Sequence, residues 1–201
     1  MENLLKNDFT THYGLPVSTV TAISVHTNNP YFEIEDDENR ELVLHFTVGN
    51  GMAKYNNRLR YAITIINYDK FITALPHAFQ EGKKRCDTIV YTNENQQYFL
   101  LNELKDRIPK SKVRSGAKAQ LLASLTLLMN VPIIESFINA FIVKRCCYFN
   151  KQPITPTIIN AITAFNRLNS ITKNGLKMSY PAVEVLGFDY YEYSGSQRFS
   201  L

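Results

Sequence analysis

Alternating apolar and polar positions divide the first third of the chain into short strands. Tyr31–Glu35 and Glu41–Phe46 alternate on either side of five polar residues, which predicts a β-hairpin with one half-buried face. The β-branched run Val17–His26 predicts a further strand. Residues 1–16 carry few signals beyond a possible short helix at Glu2–Asp8, so we expect a loosely anchored terminus.

The middle of the chain predicts a second hairpin. Residues 49–57 are rich in Gly and Asn and predict a loop, followed by a strand at Arg58–Ile66. Tyr68–Phe79 predicts a short helix that a proline breaks near its end. Cys86–Tyr91 and Gln97–Leu104 are apolar runs joined by turn-forming residues, so we expect them to pair as neighbouring strands.

The last half of the chain predicts helices alternating with strands. After a basic loop at Asp106–Arg114, Ser115–Asn130 predicts the clearest helix, with Ser115 as N-cap. Ile138–Phe149 predicts a buried strand, Pro156–Thr172 a second helix, and Ser179–Leu201 one or two aromatic-rich strands. The pattern predicts one α/β domain, a mixed central sheet flanked by helices with an N-terminal β-hairpin elaboration.

Three charged residues lie where the second hairpin should bring them together. Strand alternation places Glu103 and Lys105 on one face with the apolar Phe99 and Leu101, so the charged pair emerges at the end of a buried strand. Asp87 begins the preceding strand, and in a tight hairpin that position lies beside the end of the next strand. Asp87 and Glu103 can therefore converge as two oxygen ligands for Mg²⁺, an ion that takes few protein carboxylates.

The composition fits a soluble protein. The 201 residues are 45% hydrophobic and 20% charged, and no apolar run approaches the length that crosses a bilayer. The three cysteines, an odd number, form no disulfide framework, and the N-terminus lacks the features of a signal peptide. We therefore expect a cytoplasmic protein with no membrane partner.

Positive charge is concentrated around the second hairpin. Between Lys83 and Lys118 there are nine Lys or Arg against four Asp or Glu, an excess greater than the net +4 of the whole chain. One interpretation is an ordinary solvated face. The other is a seat for a nucleic-acid backbone, for which the candidates besides Lys105 are Lys83, Lys84, Arg85, Arg107, Lys110, Lys112, Arg114 and Lys118.

The spacing resembles a known family of nucleases. Cys86-Asp87, fifteen intervening residues, Glu103-Leu104-Lys105, a helix with Gln120 and a following apolar strand resemble the core of the PD-(D/E)XK nuclease superfamily. Cys86 stands where the motif of that family has proline. The resemblance covers residues 60–170 and implies the helix–strand–strand–strand–helix–strand core of restriction endonucleases. Residues 1–59 and 171–201 would then be an N-terminal elaboration and C-terminal strands.

The resemblance implies roles for particular residues. Asp87 and Glu103 would bind Mg²⁺ or Mn²⁺, the backbone carbonyl of Leu104 would add a ligand, and Lys105 would assist the attacking water. Gln120 matches a glutamine that some branches carry on the helix after the motif. Many members bring a further acid from upstream, and the candidates here are Glu81 and Asp69, with Glu41 and Glu38 more distant.

The implied function is cleavage of nucleic acid, with DNA favoured over RNA and a setting in bacterial defence or restriction. Two alternatives stay open. One is a catalytically inactive nuclease fold that acts as a binding or regulatory module. The other is a structural or assembly protein whose acidic hairpin and C-terminal tyrosines make protein contacts, with the N-terminal hairpin a possible dimer or partner surface.

Overall fold

The computed structural model describes residues 1–17, 23–36, 41–108, 110–153 and 175–201. The described strands are β1 Ser24–Thr27, β2 Tyr31–Asp36, β3 Leu42–His45, β4 Ala53–Asn56, β5 Ile63–Asn67, β6 Thr88–Thr92, β7 Tyr98–Lys105, β8 Val143–Asn150, β9 Leu176–Met178, β10 Asp189–Ser194 and β11 Phe199–Ser200. The described helices are a π-helix at Leu4–Phe9, α1 Thr10–His12, α2 Tyr68–Thr73, α3 His77–Gln80, α4 Ser111–Met129, α5 Pro132–Asn139 and α6 Pro181–Glu184.

The central element is a mixed sheet in the order β1-β5-β6-β7-β8-β10-β9. Its first four strands are antiparallel neighbours, whereas β7, β8 and β10 run parallel to one another. Helices α4 and α5 connect β7 to β8, as the parallel pairing of two consecutive strands requires a long crossover. The fold is therefore α/β, with a mixed sheet flanked by helices, as the alternation of elements predicts.

Each face of this sheet covers a separate apolar core. On one face, the α4 side chains Leu121, Leu125 and Leu128 meet the β7 residues Phe99 and Leu101. The opposite face is covered by a second sheet, in the order β11-β4-β2-β3. The central strands are apolar on both faces because both faces are buried.

Both predicted hairpins are confirmed. Strands β2 and β3 pair antiparallel with Ile34 opposite Leu44, and Phe32 and Ile34 are fully buried together. Strands β6 and β7 also pair antiparallel, with Val90 opposite Leu100. The second hairpin is the one that carries the charged residues of the sequence motif.

The N-terminus is anchored, so the expectation of a loose terminus is wrong. Leu5 and Phe9 are fully buried, and the Phe9 ring lies 5.6 Å from that of Phe71 and 6.0 Å from that of Phe79. The first helical turns therefore complete the core beneath α2 and α3. Their apolar residues are too few for periodicity alone to reveal this.

Helix α4 begins earlier than its sequence suggests. It starts at Ser111 and not at Ser115, whose hydroxyl donates to the carbonyl of Lys112 inside the helix (3.1 Å). Lys112 and Arg114 therefore lie on the first turn of α4 and not in a loop. Such boundary errors are common because serine suits a cap and an interior position alike.

Pro132 separates two helices and does not simply end one, since α5 begins at this residue. Within the described residues no single helix is long and apolar enough to cross a membrane. One bent pair, α4 with α5, would suffice by length and composition, and the two are bent by 110°.

Other strand boundaries differ from the predictions. Residues 53–56 form β4 where the sequence predicts a loop, because their Asn-rich flanks hide a strand of only four residues. Strand β5 begins at Ile63, and β8 begins at Val143 because the preceding residues finish α5. The predicted helix Pro156–Thr172 and part of the strand predicted at Val17–His26 lie outside the described residues.

Candidate active site

The second hairpin fixes the position of Asp87 beside the end of β7. The backbone N–H of Asp87 donates to the carbonyl of Asn102 (3.1 Å), and the N–H of Leu104 donates to Asp87 Oδ2 (2.6 Å). The carboxylate is thus held by the backbone of the strand that carries Glu103. Asp87 and the motif on β7 form one local unit, as the pairing of the two strands predicts.

Lys105 lies between the two carboxylates. Its Nζ atom forms an ion pair with Glu103 Oε1 and lies 3.9 Å from Asp87 Oδ2. The Glu103 side chain is completely buried, and neither of its oxygens has a hydrogen bond of normal geometry among the described residues. One ammonium group therefore faces two carboxylates in a site nearly closed to water, which leaves negative charge uncompensated.

Burial shifts the protonation of both acids. Desolvation raises the pKa of Asp87 to about 6, against the opposing effect of the Lys105 charge and the Leu104 hydrogen bond. Desolvation, with the charge of Asp87 next, raises the pKa of Glu103 well above its usual range. Burial lowers the pKa of Lys105, but Asp87 and Glu103 outweigh it and the net shift is upward.

The carboxylates of Asp87 and Glu103 repel each other, and the charge of a divalent cation would attract both. Both oxygens of Glu103 are buried, Oε1 against Lys105 and Oε2 without a partner among the described residues, and a second carboxylate lies nearby. Carboxylate oxygens are the ligands that hard cations prefer. Across the part of the chain that the structure describes, however, no group of three His, Cys, Asp or Glu side chains is placed to hold a metal ion. Among the described side chains, the two carboxylates of Asp87 and Glu103 are therefore the candidates that could contact such an ion.

Asp69 is the upstream acid nearest the site. Its N–H donates to the carbonyl of Asp87 (3.2 Å), and its charge contributes to the raised pKa of Asp87 and of Glu103. Its own carboxylate forms an ion pair with Arg85. Of the other candidates, Glu41 pairs with Lys70 (2.6 Å), Glu81 is exposed, and Glu38 lies outside the described residues.

The structure adds a row of polar residues that the sequence reasoning missed. Strand pairing places Glu103 beside Tyr148 on β8, and Tyr148 beside Glu192 on β10. Tyr148 and Glu192 are 2% and 6% exposed, and the backbones of Glu103 and Glu192 are two strand spacings, about 10 Å, apart. The sequence offered one signal for this row: Tyr148 is a polar side chain two positions before Asn150, at the end of an apolar strand.

Glu192 connects this row to α4. Its Oε2 atom lies 3.5 Å from Arg114 Nε, and its Oε1 atom accepts a hydrogen bond from the Tyr190 hydroxyl (3.1 Å). The Asn150 amide donates to the Tyr148 hydroxyl (2.9 Å) and to the carbonyl of Arg107 (2.8 Å). Two cationic side chains, Lys105 and Arg114, are therefore anchored by buried carboxylates on the same face of the sheet.

The predicted basic residues divide into two groups. Some are held against the protein: Arg85 and Arg114 by Asp69 and Glu192, Lys83 over the Phe79 ring, and Lys118 over the Tyr180 and Tyr190 rings. The others are exposed and have no ion pair with a described residue; they are Lys84, Arg107, Lys110 and Lys112. This second group is available to an external anion.

Gln120 lies beside the acids without touching them. Its amide donates to the carbonyl of Arg85 (2.9 Å), two residues before Asp87, and makes no hydrogen bond to the carboxylates in the described structure. An open cavity of about 320 Å³ is found at this point, lined by Asp69, Lys83, Lys84, Arg85, Gly116 and Gln120. A largely basic cavity thus adjoins the acidic site.

Comparison with known proteins gives no relative. No protein-family model matches the chain, no curated protein matches its sequence, and no solved structure matches its fold.

Proposed function

We propose that this protein is a metal-dependent nuclease with a restriction-endonuclease-like core, and that it hydrolyses phosphodiester bonds in nucleic acid, DNA in preference to RNA. The observation that carries the proposal is the completely buried Glu103 carboxylate, which pairs with Lys105 through Oε1, has no partner at Oε2 among the described residues, and lies beside Asp87. A protein fold gains nothing in stability from such a group, which is the pattern of a functional site. The resemblance to the nuclease family further implies a role in bacterial defence or restriction.

The order of elements supports the core. Strands β5, β6 and β7 are consecutive and antiparallel, α4 follows, and β8 returns parallel to β7. This is the helix–strand–strand–strand–helix–strand order of the PD-(D/E)XK superfamily from its first strand onward. The acids lie where β6 begins and β7 ends, as in the family motif.

Each residue has a distinct part in the proposed reaction. Asp87 and Glu103 would hold Mg²⁺ or Mn²⁺ together with the carbonyl of Leu104. The bound ion would supply charge neutralisation and acidify water. Lys105 would orient the attacking water and stabilise charge on the phosphate while the water oxygen bonds to phosphorus, the P–O ester bond breaks and the leaving oxygen takes up a proton.

Cleavage assays with matched variants test the proposal. We expect the purified protein with Mg²⁺ or Mn²⁺ to cut plasmid, linear or single-stranded DNA, and Glu103→Gln and Lys105→Ala each to reduce the rate at least about 100-fold. Glu94→Gln is the control, because Glu94 is an exposed carboxylate in the turn of the same hairpin. Absence of metal-dependent cleavage, or equal activity of Glu103→Gln and wild type, would refute the nuclease.

A second candidate is a nuclease-like fold that binds nucleic acid without cutting it. It is favoured by the lack, in the described chain, of a third acid free to join Asp87 and Glu103, since Asp69 is paired with Arg85. Binding without cleavage in the same assay would select it. For the assembly alternative, Tyr191 is the half-buried member of the C-terminal cluster, whereas Tyr190 and Tyr193 are buried in the core.

A further inference from the structure

A second, more apolar groove runs along α4 next to the basic cavity. It has a volume of about 540 Å³, within the range of small-molecule sites, and its walls include Leu122, Leu127 and Tyr180. Ala119 and Ala123 also line it, and their short side chains take up little of the space. Nothing in the proposed cleavage reaction uses these residues.

The groove and the basic cavity share two residues, Lys83 and Lys84. The basic cavity includes Asp69, whose backbone N–H donates a hydrogen bond to the carbonyl of Asp87. The cavity and the groove together therefore form a path that leads away from the acids. From Gln120 in the cavity to Leu127 at the far end of the groove, the path covers about 10 Å along the helix axis. The path is cationic near the acids and apolar beyond them.

Tyr180 offers the groove an aromatic surface held in place. Its ring contacts that of Tyr190 edge to face at 5.6 Å, its hydroxyl reaches the carbonyl of Lys118 (3.4 Å), and it is only partly buried. An aromatic ring fixed in this way can stack on a planar group without losing further side-chain freedom. Aromatic rings beside a cationic groove are the usual platform for unpaired bases.

We propose that this groove binds the base of an unpaired nucleotide, whose phosphate lies in the basic cavity against Lys84. The proposal rests on the proposed nuclease function and specifies its substrate as a nucleic acid with a single-stranded segment at the cleavage site. Charge complementarity favours this occupant over an apolar peptide, because the groove opens directly onto the lysines. A base within an intact duplex cannot enter, since both its faces are stacked.

Binding without metal tests the groove independently of cleavage. Fluorescence anisotropy in EDTA would compare a labelled twelve-residue oligothymidylate with an abasic oligomer of equal length and charge. We expect the wild type to bind oligothymidylate about five- to tenfold more tightly. Equal affinity would overturn the groove proposal even if the protein cleaves DNA, whereas a preference for bases without any cleavage would refute the nuclease and retain the groove.

Two variants locate the effect. Ala123→Trp fills the groove, and Tyr180→Leu removes the stacking surface while keeping apolar bulk; either should bring the affinity for oligothymidylate down to that for the abasic oligomer. Ile133→Trp on α5 is the control, because Ile133 is exposed and does not line the groove. If Ala123→Trp fails to fold by circular dichroism, Tyr180→Leu carries the test. Unchanged base preference in a folded variant would contradict the proposal, as would the same loss in the control.

Discussion

The buried carboxylate of Glu103 serves the proposed function but raises the free energy of the folded state. The residue before it and the residue after it, Asn102 and Leu104, face the other core, so β7 cannot turn its carboxylate outward without moving them. The strand therefore delivers a carboxylate into a site where water cannot solvate it. Lys105 compensates one of two negative charges, and the remaining one raises the free energy of the folded state.

We expect Glu103→Gln to stabilise the protein at pH 8, by about 1–2 kcal/mol. The pKa values of Asp87 and Glu103 in the folded state lie above their unfolded values near 4. At pH values between the unfolded and the folded pKa, the folded state therefore binds more protons than the unfolded state. Their contribution to stability is present below about pH 4 and is lost as pH rises through about 6 for Asp87. Urea unfolding from pH 4.5 to 8 should give a shallower decline for Glu103→Gln than for wild type. The exposed Glu94→Gln should follow wild type; an unchanged slope in Glu103→Gln would contradict the assignment.

We expect Mg²⁺ to offset the same charge. At a concentration ten times the dissociation constant, a ligand that binds only the folded state adds about 1.4 kcal/mol to the free energy of unfolding. For a chain of this size that amounts to a rise in Tm of roughly 3–6 °C. Thermal melting at pH 8 with Mg²⁺ at ten times its measured dissociation constant should show this rise for wild type and not for Glu103→Gln at the same concentration. An equal rise in both proteins would mean that the ion binds elsewhere.

The predictability of the site follows from how local each contact is. Asp87, Glu103 and Lys105 share one hairpin, so strand alternation and a tight turn bring them together from sequence alone. Tyr148 and Glu192 join the row only through the parallel pairing of β7, β8 and β10, and no turn fixes that register. Sequence reasoning therefore finds the acids and misses the neighbours that follow from topology.

The elements show the same division. Long patterns such as β7 and α4 are evident from periodicity, whereas the eight-residue α5 is not predicted and its end is assigned to a strand. The four-residue β4 is not predicted either, and although a short helix is predicted at Glu2–Asp8, its burial is not, because both depend on the surfaces on which they pack. Phe9 illustrates this: its local sequence is polar, yet its side chain is fully buried between Phe71 and Phe79.

We expect Phe9→Ala to lower the free energy of unfolding by about 3–5 kcal/mol. The loss follows from an aromatic side chain removed from a closed cluster and from the cavity left behind. Leu59→Ala is the control, because Leu59 is 70% exposed and should change stability by less than about 0.5 kcal/mol. Urea denaturation of both variants measures the difference. Equal stabilities would mean that the N-terminal helix does not belong to the cooperative core.

At the scale of the molecule, the distribution of charge determines how a nucleic acid would approach. The net charge is only +4, so long-range attraction of a nucleic acid is weak unless the exposed lysine and arginine side chains lie together. Four of the predicted basic residues are exposed and form no ion pair with a described residue, and three of these, Arg107, Lys110 and Lys112, lie between the end of β7 and the first turn of α4. The remaining one, Lys84, lines the basic cavity. The binding surface we propose therefore surrounds the acids.

Salt dependence should reveal this surface. Each phosphate neutralised on a single strand contributes about −0.7 to the slope of log K against log salt concentration. We expect the double variant Lys84→Ala, Lys110→Ala to make the slope for oligothymidylate less negative by about 1.4, measured in EDTA from 50 to 300 mM NaCl. Arg58→Ala is the control, since Arg58 is an exposed cation outside the basic stretch and should leave the slope unchanged. If the double variant and the control change the slope equally, binding is diffuse and the basic stretch is an ordinary solvated face.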